Sequence, residues 1–178
     1  MPEYSLIVAT KDRTTELARL IASLDSQNQS DYELIIVDQN DDERLVPIIQ
    51  RSSKKEKIVH IRCRPGVSLA RNVGLEHARG KIIAFPDDDC WYPPNILNDV
   101  SGWFDANPSY EILSVMSRDA NGEQSGNGWF QNSCNLSSLN IYRTSIGYAY
   151  FIRSNGIARR IRFDEGVGPG AKIGRAHV

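Results

Sequence analysis

Three consecutive carboxylates, Asp87-Asp88-Asp89, directly follow the apolar run Ile82-Ile83-Ala84-Phe85-Pro86. Neighbouring like charges raise one another's pKa unless a cation neutralises them. A hard divalent cation does this well. Mg²⁺ or Mn²⁺ is typically held by one or two carboxylates, with water and phosphate oxygens completing its shell. Such a site can clamp a diphosphate and stabilise negative charge on a departing phosphate. The plainer alternative is a solvated acidic turn that favours the N-terminus of the helix signalled by Pro93. Placement at the end of a buried strand favours the metal.

Other polar groups accompany the triplet. Arg71 and Asn72 lie in a helical stretch among apolar neighbours. A half-buried Arg needs an anion, and a phosphate or the acidic triplet would serve; an Arg on a solvated helix face is equally compatible with the spacing. Asp38 ends a second apolar run. It reads either as the cap of the following turn or as an acceptor for a nucleobase or ribose, and the residues alone leave both open. Thr10-Lys11-Asp12-Arg13 ends a first such run.

The elements that must position these groups alternate. Residues 5–9, 32–37, 57–62 and 81–86 are short apolar runs, the pattern of strands buried on both faces. Between them lie helical spacings at 14–27, with Leu17, Leu20, Ile21 and Leu24 on one face, a weaker one at 42–51, and another at 67–78. In the last, Val67, Ala70, Val73, Leu75 and Ala78 are the expected buried positions, and Gly80 is expected at the usual glycine position past the helix end. A fourth helix is expected from Pro93-Pro94, in its first turn, to about Ala106. Strands are also expected at 110–116 and 147–153, around a polar loop at 118–128. This order predicts an α/β fold: a Rossmann-like, mostly parallel sheet with helices on both faces. In such sheets ligands bind beyond the C-terminal strand ends, where all the groups above collect.

Composition narrows the class. With 178 residues, 40% of them hydrophobic, the chain can build one real core. A net charge of −1 gives no positive excess to follow a phosphate backbone, so a nucleic-acid partner is not expected. Cys63, Cys90 and Cys134 are widely spaced and read as reduced thiols of a cytoplasmic protein. His60, His77 and His177 have neither metal-ligand nor triad spacing, and His60 reads as a core or edge residue of its strand. Trp91-Tyr92 reads as packing or as an apolar wall for a sugar ring. Gly166-Val167-Gly168-Pro169-Gly170 is read as a loop, since it opens no helix. No apolar run is long enough for a transmembrane segment, and no signal peptide is visible. Residues 172–178 are encodable by a string that matches a common sequencing adapter. They are expected to be a non-native tail, with the native chain continuing past Ala171.

Taken together, the motifs resemble the nucleotide-sugar-binding half of a family 2 glycosyltransferase of GT-A fold. The likeness covers roughly residues 3–171. It rests on Ser5-Leu6-Ile7-Val8-Ala9-Thr10 with Asp12-Arg13, on Leu34-Ile35-Ile36-Val37-Asp38, on Gly66 through Ala70-Arg71-Asn72-Val73-Gly74-Leu75, on Ile83-Ala84-Phe85-Pro86-Asp87-Asp88-Asp89, and on the late Phe163-Asp164-Glu165. The resemblance implies that Thr10, Asp12 and Arg13 line a nucleotide pocket, that Asp38 meets the base, usually uracil, and that Arg71, with Asn72 beside it, sits by base and diphosphate. It implies that Asp87 meets ribose or metal, that Asp88 shares either task, and that Asp89 holds Mg²⁺ or Mn²⁺. Residues 1–108 would form the nucleotide-sugar-binding subdomain and 109–171 the start of the acceptor-binding part. The implied activity is inverting transfer from a nucleoside-diphosphate sugar, with UDP as the expected nucleotide, to a saccharide or glycolipid acceptor in bacterial surface polysaccharide synthesis. That implies a cytoplasmic enzyme, with peripheral association at the inner face of the membrane.

Two departures stand out. Asp12 replaces the family's more usual Asn and changes the pocket charge. The family's catalytic base lies in an acidic motif shortly after the Gly-rich loop, where this chain stops, so Asp164 and Glu165 are not assigned that role. A non-catalytic nucleotide-sugar-binding fragment is therefore the main alternative. A sugar-phosphate nucleotidyltransferase is disfavoured because Thr10-Lys11-Asp12-Arg13-Thr14-Thr15 lacks the Gly-rich loop it requires. A phospho-acceptor signalling domain needs an Asp after the third strand, where this chain has Ile61-Arg62-Cys63.

Overall fold

A computed structural model describes residues 1–125, 132–137, 139–141, 146–154 and 161–167. Four strands are parallel, as the alternation predicts: β1 (Tyr4–Thr10), β2 (Tyr32–Asp38), β3 (Ile58–Arg62) and β4 (Ile82–Ala84). Two further strands, β5 (Ile112–Ser114) and β6 (Tyr150–Arg153), join the same sheet antiparallel. The order is β3-β2-β1-β4-β6-β5. The chain leaves β1 towards β2 and β3, then returns to β1's other side as β4. In open sheets of this kind ligands bind at such a reversal, beyond the ends of β1 and β4.

Alternation along the strands sends side chains to two cores. Leu6, Val8, Leu34 and Ile36 pack under α1 (Thr15–Asp25), α2 (Val46–Arg51) and α4 (Ile96–Ala106), meeting Leu17, Leu20, Ile21, Leu24, Ile49, Leu97, Val100 and Phe104. Ile7, Ile35, Val37, Ile83 and Phe85 face the other way, towards α3 (Val67–His77). The expected buried face of α1 is therefore correct.

The expectations for α3 need correction. Ala70 is buried, but Val67, Val73, Leu75 and Ala78 are only half-buried, and Asn72 and Gly74 take the inner positions. The helix lies too close to the sheet for large side chains there. A Cβ on Gly74 would stand 2.3 Å from Ile7 Cγ2. Gly80 does not occupy a left-handed cap. It passes so near β1 that a Cβ would lie 2.4 Å from the Ser5 nitrogen and 2.5 Å from the Tyr4 carbonyl carbon. Pro93 and Pro94 precede α4 rather than open it. Their carbonyls accept bonds from Gln27 Nε2 (2.7 Å) and the Asn28 amide (3.2 Å), which tie the approach to α4 onto the end of α1.

Part of the polar loop at 118–128 is described: the amide of Asp119 bonds to the Glu123 carbonyl, and Arg118 bridges to Gln124. Most of the Gly-rich loop after Val167, and the tail at 172–178, lie outside the described residues.

Candidate active site

β1 extends beyond β4, so Thr10 lies alongside the chain that follows Ala84. Thr10 is buried, and its Oγ1 donates to Asp88 Oδ2 at 2.8 Å. Arg13, one turn on, bridges Asp88 Oδ1 at 3.0 Å and Asp89 Oδ2. Arg71 reaches across from α3 to Asp87 Oδ1 at 3.1 Å. Thus the structure brings together Thr10, Arg13, Arg71 and all three carboxylates. Asp88 and Asp89 share Arg13, and the anion that Arg71 needs is Asp87.

Burial is the main cause that raises the Asp87 and Asp88 carboxyls above the usual range. For Asp87 the Arg71 guanidinium works against that rise, and for Asp88 the Thr10 hydroxyl and then Arg13 do so. Repulsion within the triplet, the cause expected from sequence, is a smaller contribution.

Asp38 is fully buried. Its Oδ1 accepts bonds from the Asn40 amide (2.8 Å) and Asn40 Nδ2 (2.7 Å), and its Oδ2 lies 2.9 Å from His60 Nε2. This arrangement matches the turn-capping reading of Asp38. Asn40 Oδ1 in turn accepts the Asp12 amide at 2.7 Å, so the ends of β1 and β2 are locked together. Asp12 itself has φ 61°, a left-handed conformation that Asp and Asn tolerate better than other non-glycine residues. Its carboxylate accepts a bond from Arg44 Nη1 at 2.9 Å, so the extra charge at this position meets a local counter-ion.

Asn72 is buried on the inner side of α3. Its Oδ1 accepts the Phe163 amide at 2.8 Å, and its Nδ2 donates to the Phe163 carbonyl at 2.9 Å and to Glu165 Oε1 at 3.1 Å. The Phe163 ring packs edge-on to Phe85, 5.0 Å between centroids, and the Arg71 guanidinium lies 5.4 Å from its centre. Trp91 is exposed beside the triplet, with Arg19 over its ring at 4.3 Å.

Sequence reasoning missed Arg44, His60, Gln39 and Phe163 as supports. Gln39 Oε1 accepts the amide of Gly66, which has φ 144° at the start of α3. The available signal was position: Gln39 and Asn40 follow a strand at the ligand edge. Nothing in the spacing marks Arg44 or His60, and Phe163 was marked only as part of the late Phe163-Asp164-Glu165 motif.

Hard carboxylate oxygens suit Mg²⁺ or Mn²⁺. Among the described residues, however, no three acidic, His or Cys side chains are placed to hold one. Asp88 commits both of its oxygens, to Thr10 and Arg13, whereas Asp87 and Asp89 each commit one, to Arg71 and Arg13. Two carboxylates fit an ion whose remaining ligands are water and substrate phosphate.

The six-stranded, mostly parallel sheet with helices on both faces is the GT-A architecture of the solved glycosyltransferases that the chain resembles. The Glycosyl transferase family 2 profile matches residues 5–166, and the chain belongs to that family. An uncharacterized glycosyltransferase of Haemophilus influenzae is 31% identical over 109 residues, which are 61% of this chain and 37% of that protein. The poly(ribitol-phosphate) β-N-acetylglucosaminyltransferase TarP of Staphylococcus aureus is 27% identical over 154 residues, 84% of this chain and 47% of that protein. The chain thus spans less than two thirds of the length of these relatives. Among solved structures, S. aureus TarS 1–349 in complex with UDP-GlcNAc has a TM-score of 0.77 at 22% identity, covering 93% of this chain and 49% of that one. The Pyrobaculum calidifontis mannosyltransferase PcManGT, in complex with GDP-Man and Mn²⁺, has a TM-score of 0.70 at 18% identity, covering 95% and 49%. These two likenesses establish the fold.

Proposed function

We propose that this chain is the donor-binding part of an inverting glycosyltransferase that takes a UDP-sugar and serves a saccharide or glycolipid acceptor in bacterial surface polysaccharide synthesis. One observation carries the reading. Thr10, Arg13 and Arg71 converge with Asp87, Asp88 and Asp89 at the reversal point between β1 and β4. The UDP-GlcNAc complex of TarS and the polymer acceptor in TarP's name support the donor and acceptor classes. No helix among the described residues is long and apolar enough to cross a membrane; a glycolipid acceptor would bring the protein to the inner membrane face from the cytoplasm.

In this reading Arg71 and Arg13 turn from the carboxylates to the donor's diphosphate, since a guanidinium suits bidentate contact with phosphate. Asp87 and Asp89 would hold Mg²⁺ or Mn²⁺. The ion, when bound, supplies positive charge to the departing diphosphate. Thr10 keeps Asp88 oriented, and Asp38 fixes the rim on which the base rests. Attack by the acceptor hydroxyl needs a base within hydrogen-bond reach. Glu165 is occupied by Asn72, and Asp164 Oδ1 accepts the Gly166 amide at 2.8 Å. Neither is assigned that role.

Calorimetry with UDP tests the proposal. Mn²⁺ should strengthen UDP binding to the wild type, and Asp89→Ala should remove that dependence. Absence of UDP binding, or metal dependence unchanged in the variant, would refute it.

A further inference from the structure

The two ends of the Asn72 amide are both used on the backbone of one residue. Oδ1 accepts the Phe163 amide and Nδ2 donates to the Phe163 carbonyl, at 2.8 and 2.9 Å. This pair of bonds imitates a strand ladder, with a side chain in place of a second strand. Nδ2 also meets Glu165 Oε1, and Ser68, one turn earlier on α3, donates to the Val167 carbonyl at 2.9 Å. Segment 161–167 is therefore pinned along α3 by side chains. Its one large ring, Phe163, lands between Phe85 and the Arg71 guanidinium. Arg71 is the residue next to Asn72, so its guanidinium is bounded by Asp87 on one side and by a ring whose position Asn72 sets on another.

We propose that Asn72 is a positioning residue: it clamps Phe163 against Arg71 and so aims the guanidinium, without itself touching the donor. The inference rests on the reading of Arg71 as a diphosphate ligand. Every polar atom of the Asn72 side chain is already engaged with the protein, and the residue is 8% exposed. A buried amide with satisfied bonds gains nothing from a ligand, and breaking those bonds would leave the Phe163 peptide unpaired. An arginine free to sample its rotamers loses entropy on binding, whereas one pinned by a ring has already lost it. The clamp thus acts through preorganisation.

The test uses Asn72→Ala and Phe163→Leu, each alone and combined with Arg71→Ala. Phe163→Leu removes the ring while leaving Asn72 intact, and it serves if Asn72→Ala does not fold. Titration with UDP and Mn²⁺ should show each variant weakened about three- to tenfold where Arg71 is present. In the Arg71→Ala background neither change should matter further. A merely structural role would weaken binding in both backgrounds. Phenylglyoxal labelling of Arg71, read by peptide mass without any ligand, should be faster in both variants than in the wild type. Equal UDP losses with and without Arg71, or unchanged Arg71 labelling, would overturn the inference. If the wild type fails to bind UDP while labelling accelerates as expected, the clamp stands and the donor assignment falls.

Discussion

Gly74→Ala is a single added methyl group at the tightest helix–sheet contact near the site. Two effects oppose each other. Alanine is the better helix former by about 1 kcal/mol. Against this, the new Cβ would stand 2.3 Å from Ile7 Cγ2 and 3.4 Å from Val37 Cγ2. Carbon atoms in contact prefer about 3.5–4.0 Å, so Ile7 or α3 must yield by more than an ångström. Ile7 is a β-branched residue, 1% exposed, on a central strand paired on both sides. Its side chain has little rotamer freedom to offer. Overpacking of this kind costs about 1–3 kcal/mol, which outweighs the propensity gain. The expected net loss is up to about 2 kcal/mol, read as a lower midpoint in urea denaturation at unchanged slope. Ile7→Ala alone should cost about 2–5 kcal/mol through the cavity it leaves. In the double variant the new methyl partly fills that cavity, so the combined loss should fall short of the sum by at least about 1 kcal/mol. A Gly74→Ala protein as stable as the wild type, or a strictly additive double variant, would show that steric closeness does not explain this glycine.

Two more predictions follow from buried polar groups. Thr10→Val keeps the shape but removes the hydroxyl from Asp88, whose carboxylate is nearly buried; stability should drop by about 1–3 kcal/mol, and an unchanged urea midpoint would deny the bond its importance. Glu33 is buried, which alone would raise its pKa, but bonds from Ser5 Oγ and from the Arg79 amide and guanidinium together lower it. Its stabilisation is therefore present above the ordinary Glu value of about 4.3 and disappears as pH falls through the lower folded value. Glu33→Gln should lose about 1–2 kcal/mol at neutral pH, discounted because Arg79 is exposed, and the gap to wild type should close in acid; a gap that stays constant with pH would contradict the assignment.

The parallel half of the sheet was legible because apolar runs of five or six residues alternate with helical spacing, and period 2 against period 3.6 is decided locally. The acidic triplet was legible for a related reason: it ends such a run. What escaped were groups whose importance depends on distant partners. Asn72 was marked by its place beside Arg71, but not its bond to the Phe163 backbone, 91 positions away. Gly80 looks like a helix stop, but the constraint comes from Ser5 and Tyr4, far back in the chain. The prolines at 93 and 94 resemble a helix start, whereas their carbonyls are engaged by the end of α1. Sequence marks which segment is apolar and where it stops. It does not mark how closely two segments approach.

The pairing of Arg13 and Arg71 with the triplet has a further consequence for how the pocket is filled. In the free protein every one of these charges is already answered by another within the chain. Loading is then a trade of companions rather than the capture of an unmatched charge. A lone anion would draw the guanidinium groups away and strand the carboxylates, and a lone cation would do the reverse. A complex carrying both signs satisfies all of them together, so by linkage each component must tighten the uptake of the other.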